Sequence, residues 1–294
     1  MPHFMLSWRD AVEIGFCLAL LGLALRRGRR LKALRPAAAP LTEAAVLFGL
    51  YALWQFAGSF TVLSSAGGPA RGRAIWHLER TLRLPNEAWV QHFFLPHPTI
   101  VQASDFYYDI LHFPVLIGCL IWVYWRHRDQ YPRIRTILVV FTATSLAVQL
   151  IPVAPPRLLA GTHMVDTAFR YGQSVYTWGN GALAADQYSA MPSVHVGWAI
   201  VVAIAVISVS HRRGASGRQG GWRWLALAYP VLTTLVVVVT ANHFWLDGIV
   251  AALLVVLAVL AERANSSLFG RKRPCDSEVH GAAEQDRVGA GTAA

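Results

Sequence analysis

His243 and Asp247 stand four residues apart in Asn242-His243-Phe244-Trp245-Leu246-Asp247, a spacing that puts both side chains on one face of a helix. A carboxylate so placed can hold one imidazole N–H, fix the tautomer, and leave the other ring nitrogen as a base, a nucleophile or a metal ligand. The bland reading is a solvated pair decorating a helix start. A second cluster, Met191-Pro192-Ser193-Val194-His195, has the form of another helix start. Pro192 suits a first helical turn, the unbonded N–H groups of that turn attract an anion, and Ser193 adds a hydroxyl. His195 follows about one turn in, where a lone histidine is more often structural. The third cluster is Pro155-Pro156-Arg157, whose planar guanidinium suits phosphate oxygens and equally suits lipid headgroups. One arginine, one helix N-terminus, two histidines and one carboxylate form a set suited to phosphoryl transfer.

These clusters need elements that carry them to one place. Hydrophobic residues make up 55% of the 294-residue chain and charged residues only 14%, too apolar a balance for a soluble domain. Apolar runs of about 17–23 residues recur, each long enough to cross ~30 Å of hydrocarbon. Seven are read, at 8–25, 41–63, 107–125, 136–152, 193–210, 223–240 and 243–262. Runs such as 253–260 show no alternation of polarity, which excludes a β-barrel. The first run carries Arg9, Asp10 and Glu13 near its start. Its basic cluster, Arg26, Arg27, Arg29, Arg30, Lys32 and Arg35, follows the run, which favours a retained span over a cleaved leader.

The fold expected is therefore all-α: a polytopic membrane helical bundle of six to seven transmembrane helices with an external amphipathic segment. Assigning alternate loops to opposite sides puts 19 of the 26 Lys and Arg on one side. By the positive-inside rule that side is cytoplasmic, and the three clusters fall on the other face with the N-terminus. The net charge of +10 follows these loops and does not point to nucleic acid. The plasma membrane is the expected location. Residues 1–63 hold the N-terminal spans and a basic cytoplasmic loop, and 64–106 an external interfacial segment. Within that segment Arg73 to Leu84 reads as a surface helix, broken by Pro85, Pro96 and Pro98. Residues 107–262 form the membrane core with the site, and 263–294 a disordered cytoplasmic tail. Cys17, Cys119 and Cys275 give no disulfide framework.

Pro192-Ser193-Val194-His195 and His243-Phe244-Trp245-Leu246-Asp247 resemble the last two signature motifs of the phosphatidic acid phosphatase type 2 superfamily, and Pro155-Pro156-Arg157 resembles a reduced first motif. The resemblance covers about 150–262. It implies that His243 attacks phosphorus to form a phosphohistidine, that Asp247 orients it, and that His195 protonates the leaving oxygen. Arg157 and Ser193 would bind the phosphate, with no metal and no cofactor. The superfamily's fuller pattern has a lysine where this chain has Leu150 and a Ser-Arg pair where it has Val236 and Val237, so two phosphate-binding cations are missing. The pattern that remains resembles the inositol phosphorylceramide synthase subgroup, as do Tyr107-Tyr108 and His112-Phe113-Pro114, and that subgroup moves a phosphoinositol headgroup between lipids.

The expected partners are a lipid substrate and the bilayer; oligomeric state is not readable. A lipid phosphate phosphomonoesterase is the closest alternative, since the same residues serve both reactions. A membrane transporter is an alternative of another class, opposed by span centres that are almost wholly apolar. A metal site on His195, His243 and Asp247 is opposed by Arg157 nearby and by the absence of a metal-type spacing. His163, Asp166, Arg170, Asp186 and Tyr188 read as solvated loop polarity.

Overall fold

The computed structural model describes residues 6–63, 66–171, 187–212 and 222–270. Asp186, the loop arginines Arg213 and Arg218, and the tail from 271 with Cys275 lie outside the described residues. Residues 1–258 form one compact unit and residues from Val259 a second.

The described residues are helical, with no named strand. Helix α1 (Trp8–Arg27) opens on a capping box in which Ser7 Oγ accepts the Asp10 N–H and Asp10 reaches back to the Ser7 N–H. It closes on Arg26 and Arg27, cations that suit a helix C-terminus. Helix α2 (Ala38–Leu63) packs along it. The segment expected to be external breaks into α3 (Gly68–Thr81), α4 (Glu87–Phe94) and α5 (Pro98–Phe106). Prolines start α3 and α5, where a missing N–H costs nothing, and the Asn86 side chain caps α4 through the Ala88 N–H.

Helix α5 does not end where the third apolar run was expected to begin. A π turn, Tyr107–Leu111, joins it directly to α6 (His112–Arg126), so the apolar helix runs from Pro98 to Arg126, 29 residues. Pro98 opens the helix, and Pro114 falls in the first turn of α6, just after the π turn, so the helix continues to its C-cap at His127. Helices α7 (Tyr131–Gln149), α9 (Val194–Arg212), α10 (Trp222–Val239) and α11 (Trp245–Gly270) follow, with the single-turn α8 (Thr167–Arg170) between α7 and α9.

Every one of the seven apolar runs is thus helical. By length and composition, three stretches among the described residues are apolar enough to cross a membrane, Ala33–Leu53, Pro98–Arg126 and Trp245–Ser267, and Val194–Ser210 and Trp224–Val239 are shorter apolar helices. The flanking charges account for the difference: Arg9, Asp10, Glu13, Arg26 and Arg27 sit within α1, and Arg133 and Arg135 within α7. The apolar exteriors remain uncovered. Leu253, Val256, Leu257 and Leu260 of α11 are each more than half exposed, a surface that suits lipid and not water.

Within residues 1–258 the core lies where α9 meets α7, α6 and α10. Ile134, Ile137, Leu138 and Phe141 of α7 are fully buried, as are Ala199, Val201 and Ala205 of α9. Two glycines permit close approaches. A Cβ on Gly72 would lie 2.5 Å from the Ala154 carbonyl oxygen, so α3 rests directly on the chain that leads to Arg157. A Cβ on Gly197 would lie 1.8 Å from Phe141 Cζ, inside the α7–α9 contact. Gly197→Ala should therefore destabilise the protein by about 1–3 kcal/mol through overpacking, with part of the loss recovered by adding Phe141→Leu, as measured by thermal denaturation in detergent.

Candidate active site

The three clusters meet, and backbone hydrogen bonds join them. The Arg157 N–H donates to the Ala241 carbonyl (3.1 Å), and the Ser193 N–H donates to the Asp247 carbonyl (3.1 Å). The chains leading into the clusters at 155–157 and 191–195 also pair, through the Val153 N–H to the Tyr188 carbonyl (2.6 Å) and the Ala190 N–H to the Val153 carbonyl (3.2 Å). Phe244, beside His243, plugs a small core with Ala154 and Leu159, covered by Ile75, Trp76 and Tyr188.

His243 sits in the turn between α10 and α11, where Ala241 takes a left-handed conformation (φ 56°) to reverse the chain sharply. The His243 ring is buried, and its Nδ1 lies 2.7 Å from the Ala190 carbonyl oxygen and 3.4 Å from Asp247 Oδ2. A carbonyl only accepts, so Nδ1 carries the proton and Nε2 presents its lone pair. No hydrogen-bond partner meets Nε2 among the described residues. The main orienter of the ring is thus a backbone carbonyl, with the carboxylate second. Asp247 spends Oδ2 chiefly on the Phe244 N–H (2.9 Å), reaching back from the third position of α11 to the residue before it, as in half of a capping box.

Ser193 is the N-cap of α9, not a residue of its first turn, because the helix begins at Val194. Its carbonyl accepts the Gly197 N–H (3.1 Å), and its Oγ lies 3.5 Å from the Val196 nitrogen. Pro192 therefore precedes the cap, and the hydroxyl proton of Ser193 can still donate.

His195, partly buried, stacks on Tyr108 with ring centroids 4.1 Å apart and bonds to the Tyr108 backbone. Its centroid is 5.0 Å from that of His112 and 6.0 Å from that of His243. The Tyr108 contact exists because the π turn rotates Tyr108 toward α9; π turns recur at functional sites for this reason.

The Arg157 side chain is buried and held. Nε donates to Asn242 Oδ1 (2.8 Å) and NH1 lies 3.3 Å from Asp166 Oδ2. Asn242 is fixed in turn by donating to Thr240 Oγ1 (3.0 Å). Asp166 is not free loop polarity: its other oxygen caps α8 through the Phe169 N–H (3.0 Å). Gln91 of α4 holds that segment to the end of α10, donating to the Val165 and Val239 carbonyls and accepting the Val165 N–H. Asp109 on the π turn lies within electrostatic reach of Arg157, Asp105 and Asp166, so carboxylates surround the one guanidinium. Among the described residues no group of three or more His, Cys, Asp or Glu side chains is arranged to hold a metal ion.

The structure thus brings His243, Asp247, His195, Ser193 and Arg157 together. It adds Ala190, Asn242, Asp166 and Tyr108, which the sequence did not single out as site residues. Asn242 had a signal in its place next to His243, and Tyr108 in the resemblance of Tyr107-Tyr108 to the subgroup; Asp166 read only as loop polarity, and Ala190 had none. His163 is exposed, and Arg170 packs on Tyr171.

A family model described as the PAP2 superfamily matches residues 73–261. The chain belongs to the PAP2 superfamily. Its members are phosphatases and phosphotransferases, so membership supports an enzyme of that broad class. The match spans α3 to α11, and so takes in the external helices as well as the three clusters. No curated protein and no solved structure matches the chain.

Asn242→Ala removes the acceptor that aims the Arg157 guanidinium. It should weaken binding of inorganic phosphate or orthovanadate about tenfold or more while leaving the fold intact, measured by titration and by circular dichroism.

Proposed function

We propose that this chain is an integral membrane phosphotransferase that acts on a lipid phosphodiester, moving a phosphoinositol-type headgroup to an alcohol acceptor on the non-cytoplasmic side. The observation that carries the reading is the state of His243: Nδ1 is tied to the Ala190 carbonyl, and a buried Nε2 is left with its lone pair available. That is an activated nucleophile in a fixed orientation. In the first step Nε2 attacks phosphorus, the bond from phosphorus to the leaving oxygen breaks, and protonated His195 gives its proton to that oxygen. In the second step the acceptor hydroxyl loses its proton to His195 and attacks phosphorus, and the N–P bond breaks. The two ring centroids lie 6.0 Å apart, close enough for both imidazoles to reach one phosphoryl group. Arg157 and Ser193 would hold its non-bridging oxygens, and Asp247 would stabilise the His243 ring as it becomes cationic.

The charge around Arg157 favours the diester. A monoester carries nearly two negative charges, but here the one arginine is already paired with Asp166 at 3.3 Å. Where the superfamily's fuller pattern has a lysine and a Ser-Arg pair, this chain has Leu150 and the buried Val236 and Val237, two cations fewer. A singly charged diester needs less neutralisation. The resemblance of Tyr107-Tyr108 and His112-Phe113-Pro114 to the inositolphosphotransferase subgroup points the same way. The seven-span arrangement, with the tail cytoplasmic, belongs to this proposal.

Purified protein given a lipid phosphodiester labelled in its headgroup should form an acid-labile histidine adduct and, with a lipid alcohol, a new labelled diester. Release of free phosphate from a lipid phosphomonoester, with no new diester, would make it a hydrolase instead. His243→Gln should lower turnover at least about 10³-fold and abolish the adduct. Full activity in that variant removes the covalent mechanism.

A further inference from the structure

Glu79 of α3 is fully buried, yet the chemistry above makes no use of it. Its Oε1 accepts the Leu246 N–H at 2.7 Å, across 167 positions of sequence. Leu246 is the second residue of α11, so this carboxyl caps one of the backbone N–H groups that the start of a helix leaves unbonded. Asp247 takes the Phe244 N–H (2.9 Å), and the Pro85 carbonyl takes the Trp245 indole N–H (2.9 Å). The entry of α11, with His243 just before it and Asp247 just inside it, is thus tied down by one local carboxyl group and by the external segment α3–α4.

The second Glu79 oxygen, Oε2, lies 3.9 Å from Arg80 NH2, and the carboxyl group also meets Glu87 of α4. Glu87 is also fully buried and pairs through Oε2 with Arg80 NH2 at 2.9 Å. Among the described residues neither Glu79 Oε2 nor Glu87 Oε1 meets a hydrogen-bond donor. Two buried carboxyl oxygens facing each other are stable when one proton lies between them, donated by one and accepted by the other. The charged groups around Glu79 are Glu87 from α4, Asp247 from α11, and Arg80 of its own helix, whose NH2 is 3.9 Å from Oε2. Burial first, then the hydrogen bond and charge of Glu87 and the charge of Asp247, raise the Glu79 carboxyl to about 9, against an opposing pull from the Leu246 N–H.

We propose that Glu79, sharing a proton with Glu87, is a positioning residue that sets the entry of α11, so that the α3–α4 segment controls the alignment of His243 with Asp247. The alignment has catalytic meaning on the reading given above. Loss of the shared proton places a second negative charge beside Glu87 and Asp247 and removes the donor that joins α3 to α4.

Glutamine is the decisive substitution, because it accepts the Leu246 N–H and donates to Glu87 with no proton to lose. Wild type should show an alkaline limb near pH 9, and Glu79→Gln should abolish it while keeping kcat within about threefold of wild type. Glu79→Ala should lower kcat on the order of a hundredfold with little change in KM, as a misaligned nucleophile would. Stability follows the same proton. The unfolded carboxyl titrates near 4.5, so between 4.5 and about 9 the folded chain holds a proton that the unfolded chain lacks. The contribution of Glu79 is therefore greatest at or below 4.5 and falls as pH rises through that window. Glu79→Gln should lack that slope.

Hydrogen exchange of the Leu246 amide separates this proposal from the proposed activity. It should accelerate in Glu79→Ala and stay slow in Glu79→Gln whether or not any lipid is turned over. Unchanged exchange in Glu79→Ala, or a Glu79→Gln variant as damaged as Glu79→Ala, overturns the positioning role. Absence of turnover in the wild type with the expected exchange pattern overturns only the proposed reaction.

Discussion

A helix that begins inside a protein brings unbonded N–H groups with it, and each left unsatisfied away from water costs about 1–3 kcal/mol. The start of α11 is such a place. Phe244, just before it, is 1% exposed and Asp247 is fully buried, so water cannot serve these groups. The chain solves this twice over, with Asp247 on the Phe244 N–H and Glu79 on the Leu246 N–H. Upstream, the last carbonyls of α10 are consumed as well: Val237 accepts from both Asn242 and His243, and Val238 accepts from Ala241. His243 is therefore the pivot of a turn in which nearly every backbone group is committed. A ring mounted there has little freedom, which is what the proposed in-line attack on phosphorus requires.

The same economy gathers the other clusters. Backbone bonds from Arg157 to Ala241 and from Ser193 to Asp247 carry two further segments to the turn, and Phe244 seals the space beneath them against Ala154 and Leu159. The electrostatics follow from this gathering. Arg157 enters a buried site only with Asn242 and Asp166 to satisfy it, since an uncompensated guanidinium there would be costly. The partners that make the arginine tolerable also lower its surplus charge, which is what favours a singly charged diester in the proposed function.

Much of the helical plan was legible because bilayer-length apolar runs are a one-dimensional signal: the runs at 193–210 and 223–240 reappear as α9 and α10 within a residue or two. Prolines 85, 96 and 98 marked breaks in the external segment for a local reason, a missing N–H. The start of the third run was misplaced at 107, because a π turn leaves hydropathy unchanged while α5 continues into α6. The histidines, Asp247, Ser193 and Arg157 stood out by residue type and spacing. Ala190 could not, since any residue offers a carbonyl, and its role depends on where the chain passes. Glu79 could not either, because a cap reaching across 167 positions leaves no trace in local sequence. Asp166 read as solvated polarity because sequence does not show that Gln91 pins the adjacent Val165 to α10.

The π turn at Tyr107–Leu111 also makes the length of the Pro98–Arg126 helix a fixed quantity. Removing one residue there would yield a smoother, more regular rod, but everything upstream would swing by about 100° about its axis relative to His112. Tyr108 would leave the face of His195, and Asp105 would leave Thr167, whose hydroxyl it now accepts at 2.7 Å. Local irregularity in this helix is thus a phase-setting device: one wide turn keeps the outer half and the inner half facing the directions that the site requires.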